Sequence, residues 1–540
     1  MGLRLNLDPL ASPGKRQPVF APHGVVATSQ PLASQAGLAV LTQGGNAVDA
    51  ALAAAITLTV VEPSSNSIGG DTLALVWDGT RLHGLNGTGR APAALTPEMM
   101  RRQGYDAMPV HHWAAVTVPG APAAWRDLHE RFGRLPFEML FSAAIEYAER
   151  GYPVPAISQR VWRNALERVH VHLTGEEFNG VTAVFAPEGR APHVGEIWRN
   201  PEMARTLRLI AETKADAFYS GEIAERLVDF AAHTGGFMTA EDLAGHTSDW
   251  VAPITTSYRG YDVWEMPPST QGLAVLLALN ILDGWNLSQF PRDSVESFHR
   301  QLEAMKLAFA DVHHFVADPV HASVPTEELL SKSYAARRRA LIGERSLLAM
   351  VGDPLSSDTT YLCTADADGM MASFIQSTFH GFGAHIVVPG TGFPLQNRGH
   401  GFSLAENHAN LLAPRKRPFH TLIPGFLTQA GRAIGPFGVM GGHMQPQGHV
   451  QMMVNTLDYG LDPQSSLGMP RWSWWEGRSI KLEPGAAALA EELRIRGHDV
   501  DVTAEVDWAG RGQIIWRLSD DAGGYIAGSE PRADGQAAGY

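Results

Sequence analysis

The sequence predicts a large globular protein that mixes α-helices with antiparallel β-strands, and three observations predict it. Hydrophobic residues make up 44% and charged residues 18% of the chain, an ordinary balance for a soluble folded protein. Several stretches repeat apolar residues at helical spacing between recognisable start and stop signals. One stretch alternates at a period of two: Thr360, Leu362 and Thr364 lead into Asp366-Ala367-Asp368-Gly369, and Met371, Ser373 and Ile375 continue beyond it. That is a strand, a turn and a return strand. At 540 residues, length alone allows three or four domains.

Ala47–Val61 reads as a helix fenced by Gly44-Gly45 and Glu62-Pro63, and its nearly uniform apolarity predicts burial on most sides. Ala123–Phe132 reads as a second helix, with Gly133 expected in a left-handed cap. Pro136–Arg150 is a third, stopped by Gly151 and Pro153. Thr239-Ala240-Glu241-Asp242 is a helix-start signal, and Ser294–Val316 is predicted to be the longest helix. From Leu341 to Asp358 the pattern dissolves into Gly, Asp, Pro and Ser, which predicts a loop. Gly441-Gly442 follows the turn-rich Gly435-Pro436-Phe437-Gly438. It reads either as a tight turn or as backbone placed to present its N–H groups to an anion.

The net charge of −14 disfavours a nucleic-acid partner, which would call for a basic face. Cys363 is the single cysteine, so an intrachain disulfide and a cysteine metal cage are both excluded. No apolar run reaches the ~20 residues that span a bilayer. The first residues lack an apolar signal core, which predicts a cytoplasmic protein without membrane partners. There are 22 histidines but no His-Glu-x-x-His. His111-His112 and His313-His314 are adjacent and face apart on a helix, while His170 and His172 share a strand face without an evident third ligand. No metal or organic cofactor is predicted. His380, His385, His400 and His443 read as hydrogen-bonded structural histidines.

Thr359-Thr360 opens the hairpin just after the loop. Were the chain cut before Thr359, that residue would hold a hydroxyl and a free α-amine side by side. A hydroxyl needs an adjacent base to become a nucleophile, and an α-amine with a pKa of about 7.7–8.0 is suited to that work. The same residues also fit an ordinary strand opening.

The wider chain carries an ordered series of short matches. Val26-Ala27-Thr28-Ser29-Gln30-Pro31-Leu32-Ala33 is followed by Gly44-Gly45-Asn46-Ala47-Val48-Asp49-Ala50, Val61-Glu62-Pro63 and Ile68-Gly69-Gly70. Val118-Pro119-Gly120, Phe132-Gly133, Glu149-Arg150-Gly151-Tyr152, Pro389-Gly390-Thr391-Gly392, Phe402-Ser403 and Gly438-Val439-Met440-Gly441-Gly442 complete it. In this order they resemble the γ-glutamyltransferase family of N-terminal-nucleophile hydrolases. The resemblance implies an α+β fold, a four-layer αββα sandwich. It also implies a precursor cleaved between Asp358 and Thr359 into a large subunit (residues 1–358) and a small one (359–540), which fold together as one unit. By the same resemblance Thr359 is the nucleophile, Ser377 orients it, and Gly441 and Gly442 form the oxyanion hole. The substrate is then a small-molecule amide, and water or an amine accepts the acyl group.

Departures from the family pattern fall where it grips a γ-glutamyl group. Thr88 stands in place of the Arg that clamps the α-carboxylate, and Gly401 in place of the Asp that takes the α-ammonium. A family Asn is Phe379, a family Thr is Ser377, and the family Ser pair is His420-Thr421, with Thr421 expected to help line the oxyanion hole. These changes place the chain nearer the divergent acylase-like branch. Arg398, after Gln396-Asn397, is the candidate carboxylate anchor, with Arg90 as a second. The alternatives are a true γ-glutamyltransferase with relocated anchors, a non-catalytic member of the family, and a metal-dependent hydrolase.

Overall fold

The computed structural model describes residues 16–167, 173–348, 358–505, 507–519 and 523–540. His170 and His172, and residues 349–357 of the loop expected from Leu341 to Asp358, lie outside the described residues.

Two seven-stranded sheets form the centre. The first runs, edge to edge, Gln536–Gly539, Val25–Thr28, Asp358–Ala365, Met371–Phe379, Asp71–Trp77, Leu82–Gly87 and Asp249–Val251. The second runs Val19–Ala21, Tyr525–Ser529, Arg511–Arg517, Arg432–Met440, Gly425–Gln429, Tyr261–Glu265 and Ile254–Tyr258. Each sheet therefore combines strands from before and from after Thr359.

Period-two alternation decides the layers. Tyr361, Cys363 and Ala365 point into a core shared by the two sheets, against Phe426, Met440 and Ile515. Leu362, Ala372 and Phe374 point the other way, onto the Ala47–Val61 and Ala121–Phe132 helices. Across the second sheet, Val263, Leu427, Phe437 and Ile514 pack on Gly272–Leu282, Val295–Phe315 and Met444–Leu457. Helix, sheet, sheet and helix thus form four layers. Cys363 is a fully buried core residue.

The Ala47–Val61 helix has the predicted ends, and each of its residues is buried. Asn46 and Asp49 form a reciprocal capping box at its start. The hairpin turn fastens it: Asp366 Oδ2 accepts the Ala47 N–H at 2.8 Å and Thr364 Oγ1 donates to Ala47 O at 2.7 Å. The longest helix is Val295–Phe315, capped by Ser294. Thr239 and Asp242 make the capping box of Ala240–Ala244.

Three expectations need correction. Gly133 is not left-handed; its φ is −61°, because the Asp49 carboxylate draws the next two N–H groups, Arg134 and Leu135, to 3.1 Å and pulls the chain out extended. The third predicted helix is divided into a 3₁₀ turn, Phe137–Phe141, and an α-helix, Ser142–Arg150. His111 and His112 are not helical either: His112 caps the 3₁₀ turn Trp113–Ala115, and the His111 ring meets His385 edge-on at 4.7 Å.

Candidate active site

Asp358–Ala365 and Met371–Phe379 pair in regular register up to Thr360 and Gln376, then slip. Asp358 pairs with Phe379, so Ser377 and Thr378 stand opposite the single residue Thr359. Such a bulge re-aims side chains at the end of a ladder. Here it brings two hydroxyls together: Thr359 Oγ1 donates to Ser377 Oγ at 3.3 Å, both fully buried. Ser377 Oγ also accepts the Phe379 N–H at 2.7 Å. Phe379 has a φ of +82°, a strained value for a bulky residue, held by that bond and by the cation on its ring. Gly70 explains itself at this point, because a Cβ there would lie 2.5 Å from Ser377 O.

That cation is Arg398. Its guanidinium carbon sits 4.1 Å from the centre of the Phe379 ring, and Nη1 donates to Thr421 Oγ1 at 2.8 Å. The side chain is fully buried, yet Nε and Nη2 have no acceptor among the described residues. Those two N–H groups share one edge of the planar group, the edge that grips a carboxylate with two parallel bonds. Burial pulls its pKa down to about 9, a shift Asp71 opposes, and the group remains a cation at neutral pH.

His420 and Thr421 serve different ends. His420 turns away to Asp71: its Nε2 donates to Asp71 Oδ2 at 3.1 Å while its Nδ1 accepts the Leu422 N–H at 3.2 Å. Burial first, then the Arg398 charge, push its pKa down to about 4, so the ring is neutral. Asp71 Oδ1 is filled by the Gly89 N–H at 2.9 Å and Gln396 Nε2 at 2.8 Å. His420 is fully buried, and both of its ring nitrogens are hydrogen-bonded. The carbonyl of Thr421 leads on to the glycine pair through Gln271, whose Nε2 donates to Thr421 O at 2.6 Å and to Gly442 O at 2.9 Å. Gly441 and Gly442 have φ values of +121° and +60°, and their carbonyls accept the Met444 and Gln445 N–H groups that start the Met444–Leu457 helix. The positive end of that helix therefore adjoins the pair.

One connected set runs from Thr359 through Ser377, Phe379, Arg398, Thr421 and Gln271 to Gly442. Arg90 is not in it. Its Nη2 lies 3.4 Å from Asp249, a carboxylate it shares with Arg417, and it lines a separate pocket with His246 and Arg415. Thr88 donates its hydroxyl to Asn86 Oδ1 at 2.6 Å, and its carbonyl accepts from Arg417 Nε at 3.0 Å. At Gly401 a Cβ would meet Phe419 O at 3.1 Å.

Sequence reasoning missed Asp71 and Gln271, which lack any local signal. It also missed a buried group between the longest helix and a distant segment: His299 and Glu303 of the helix and His498 place potential ligand atoms within 4.8 Å of one another. The Lys306 ammonium, 2.7 Å from Glu303 Oε1, already supplies a positive charge there. The group ties down the first part of the loop that leads to Asp358, through Lys306 to Ser346 Oγ at 2.7 Å and Glu303 to the Leu347 N–H at 2.8 Å. Among the described residues no helix is long and apolar enough to cross a membrane.

Comparison with known proteins places the chain in a family. The model of the gamma-glutamyltranspeptidase family matches residues 33–540. The chain belongs to the gamma-glutamyltranspeptidase family. A solved structure, a cephalosporin acylase from Bacillus halodurans, superposes with a TM-score of 0.94 at 50% identity, covering 99% of each chain. A glutathione hydrolase-like YwrD proenzyme of Bacillus subtilis is 37% identical, over 97% of this chain and 99% of its own. An oxamate amidohydrolase proenzyme of Klebsiella pneumoniae is 35% identical, over 96% and 98%. The four-layer sandwich is that of the N-terminal-nucleophile hydrolases, and membership places the chain among enzymes that act on amides.

Proposed function

We propose that the protein is an autoprocessing amide hydrolase whose nucleophile is Thr359 and whose acyl substrate ends in a carboxylate held by Arg398. In the precursor, the Thr359 hydroxyl adds to the Asp358 carbonyl, the peptide C–N bond breaks, and an ester remains. Water hydrolyses that ester, giving residues 1–358 a new C-terminal carboxylate and Thr359 a free α-amine. In turnover the α-amine takes the Thr359 hydroxyl proton as the oxygen attacks the substrate amide. The oxyanion is held by the Gly441 and Gly442 N–H groups, each such donor being worth about 10²–10³ in rate. The proton then passes to the leaving amine, and water or a second amine releases the acyl group from Thr359.

The open edge of Arg398 carries the substrate assignment. A buried cation with two unpaired donors is costly, and a ligand carboxylate repays the desolvation through charge-assisted bonds. Oxamate, named in one relative, is itself the monoamide of a dicarboxylic acid. Against a γ-glutamyl substrate stand the closed turn at Thr88 and the bare backbone at Gly401. Arg398→Ala should lower kcat/KM for glutaryl 4-nitroanilide by roughly 10²- to 10³-fold, as loss of a buried charge partner does. Pentanoyl 4-nitroanilide, equal in length but uncharged, should change little. Equal losses on both substrates would refute the carboxylate anchor.

A further inference from the structure

Beyond the glycine pair lies a ring cluster that the mechanism does not use. Its members are Phe309 and His313 of the longest helix, Phe419, His443 and Trp474. The His443 ring stacks on Phe419 at 6.2 Å and 23°, sits 5.3 Å from His313, and meets Phe309 edge-on at 6.1 Å and 75°. His313 lies 5.4 Å from Phe419, and Trp474 lies 5.9 Å from Phe309. Phe309 and Trp474 are buried, whereas His313, Phe419 and His443 keep part of their surface open, so the cluster is a wall and not a sealed core.

Its place is fixed by the chain. His443 directly follows Gly442, and Phe419 directly precedes the His420-Thr421 pair that Gln271 ties to Gly442. Burial draws His313 to about 4 and His443 to about 3, so both rings are neutral at physiological pH. The buried Nδ1 of His443 has no partner among the described residues. Aromatic rings associate best offset or edge-on at centroid separations of about 4.5–7 Å, the spacing this wall already shows among its own members.

We propose that this wall is the leaving-group subsite, taking amides whose amine portion is planar and apolar, with His443 Nδ1 as its one polar contact. The inference rests on the Thr359 reading: Arg398 holds the acyl end, the glycine pair holds the carbonyl oxygen, and the wall takes what lies beyond.

Two glutaryl amides, the 4-nitroanilide and the propylamide, differ only in the amine. The ratio of their kcat/KM values should favour the anilide in the wild type and fall about two- to tenfold in both Phe419→Ala and His443→Ala, in line with one lost ring contact. His443→Phe, which keeps the stacking, should hold most of the ratio. An unchanged ratio in both alanine variants overturns the wall. Equilibrium dialysis of 4-nitroaniline against the whole protein reads the same surface without turnover. Binding should weaken in Phe419→Ala, and equal binding overturns the proposal. The Thr359 reading fails separately, if Thr359→Ala still hydrolyses the anilide.

Discussion

The Thr359 hydroxyl donates to Ser377 Oγ across a β-bulge, 3.3 Å away. Two adjacent strands thereby supply the proposed nucleophile and the hydroxyl proposed to aim it, and both hydroxyls are sealed from solvent. The same Ser377 oxygen accepts the Phe379 N–H, so the strained Phe379 backbone and the Arg398 cation resting on its ring are fastened to Thr359 through Ser377.

Ser377→Ala should leave the fold intact and slow both self-cleavage and turnover, by roughly 10- to 100-fold, because the attacking oxygen loses its orientation. The loss should fall on kcat with little change in KM. Ser377→Thr, which keeps the hydroxyl, should recover most of the rate. Steady-state kinetics with band densitometry of the two chains checks both readouts.

Acid should weaken the protein through buried neutral histidines. His420 binds its proton only near pH 4 when folded, against about 6.5 when unfolded. Between those values the unfolded chain carries the extra proton, so stability falls as pH drops through the window and is insensitive to this group above it. His449, drawn to about 3 by burial against Glu265, acts in the same direction. Melting temperature measured from pH 7 to pH 4 should fall steadily. A His420→Gln variant should show a shallower fall over the same range.

Lys306 and Glu303 are both fully excluded from solvent and pair at 2.7 Å. Lys306→Met leaves a lone buried carboxylate and should cost about 3–5 kcal/mol, whereas the double variant Glu303→Gln, Lys306→Met should regain most of it. Because this pair holds Ser346 and Leu347 within the loop that leads to Asp358, the single variant should also mature more slowly. Thermal melts of the three proteins give the first result, and a time course of chain cleavage gives the second.

What the sequence revealed followed the range of its signals. The Ala47–Val61 helix and the hairpin at Asp366–Gly369 are set by neighbours a few residues away, and both were legible. The roles proposed for Thr359 and the glycine pair came only from the ordered resemblance along the whole chain, because the local residues fit a plain strand and a tight turn equally well. Gly133 was misread because its conformation is set by Asp49, far away in sequence. Gln396, Asn397 and Arg398 are three consecutive polar residues, yet all are fully buried. Their partners, Asp71, Val110 and Thr421, come from distant segments. His420 drew notice as a substituted residue, but its bond to Asp71 is a tertiary fact that no local pattern encodes.

Mass spectrometry with N-terminal sequencing of the purified, active protein tests the central claim most directly. The account predicts two chains, the smaller beginning Thr-Thr-Tyr-Leu-Cys at residue 359, and a Thr359→Ala variant that stays uncut and inactive. A fully active protein that is one unbroken chain would contradict it.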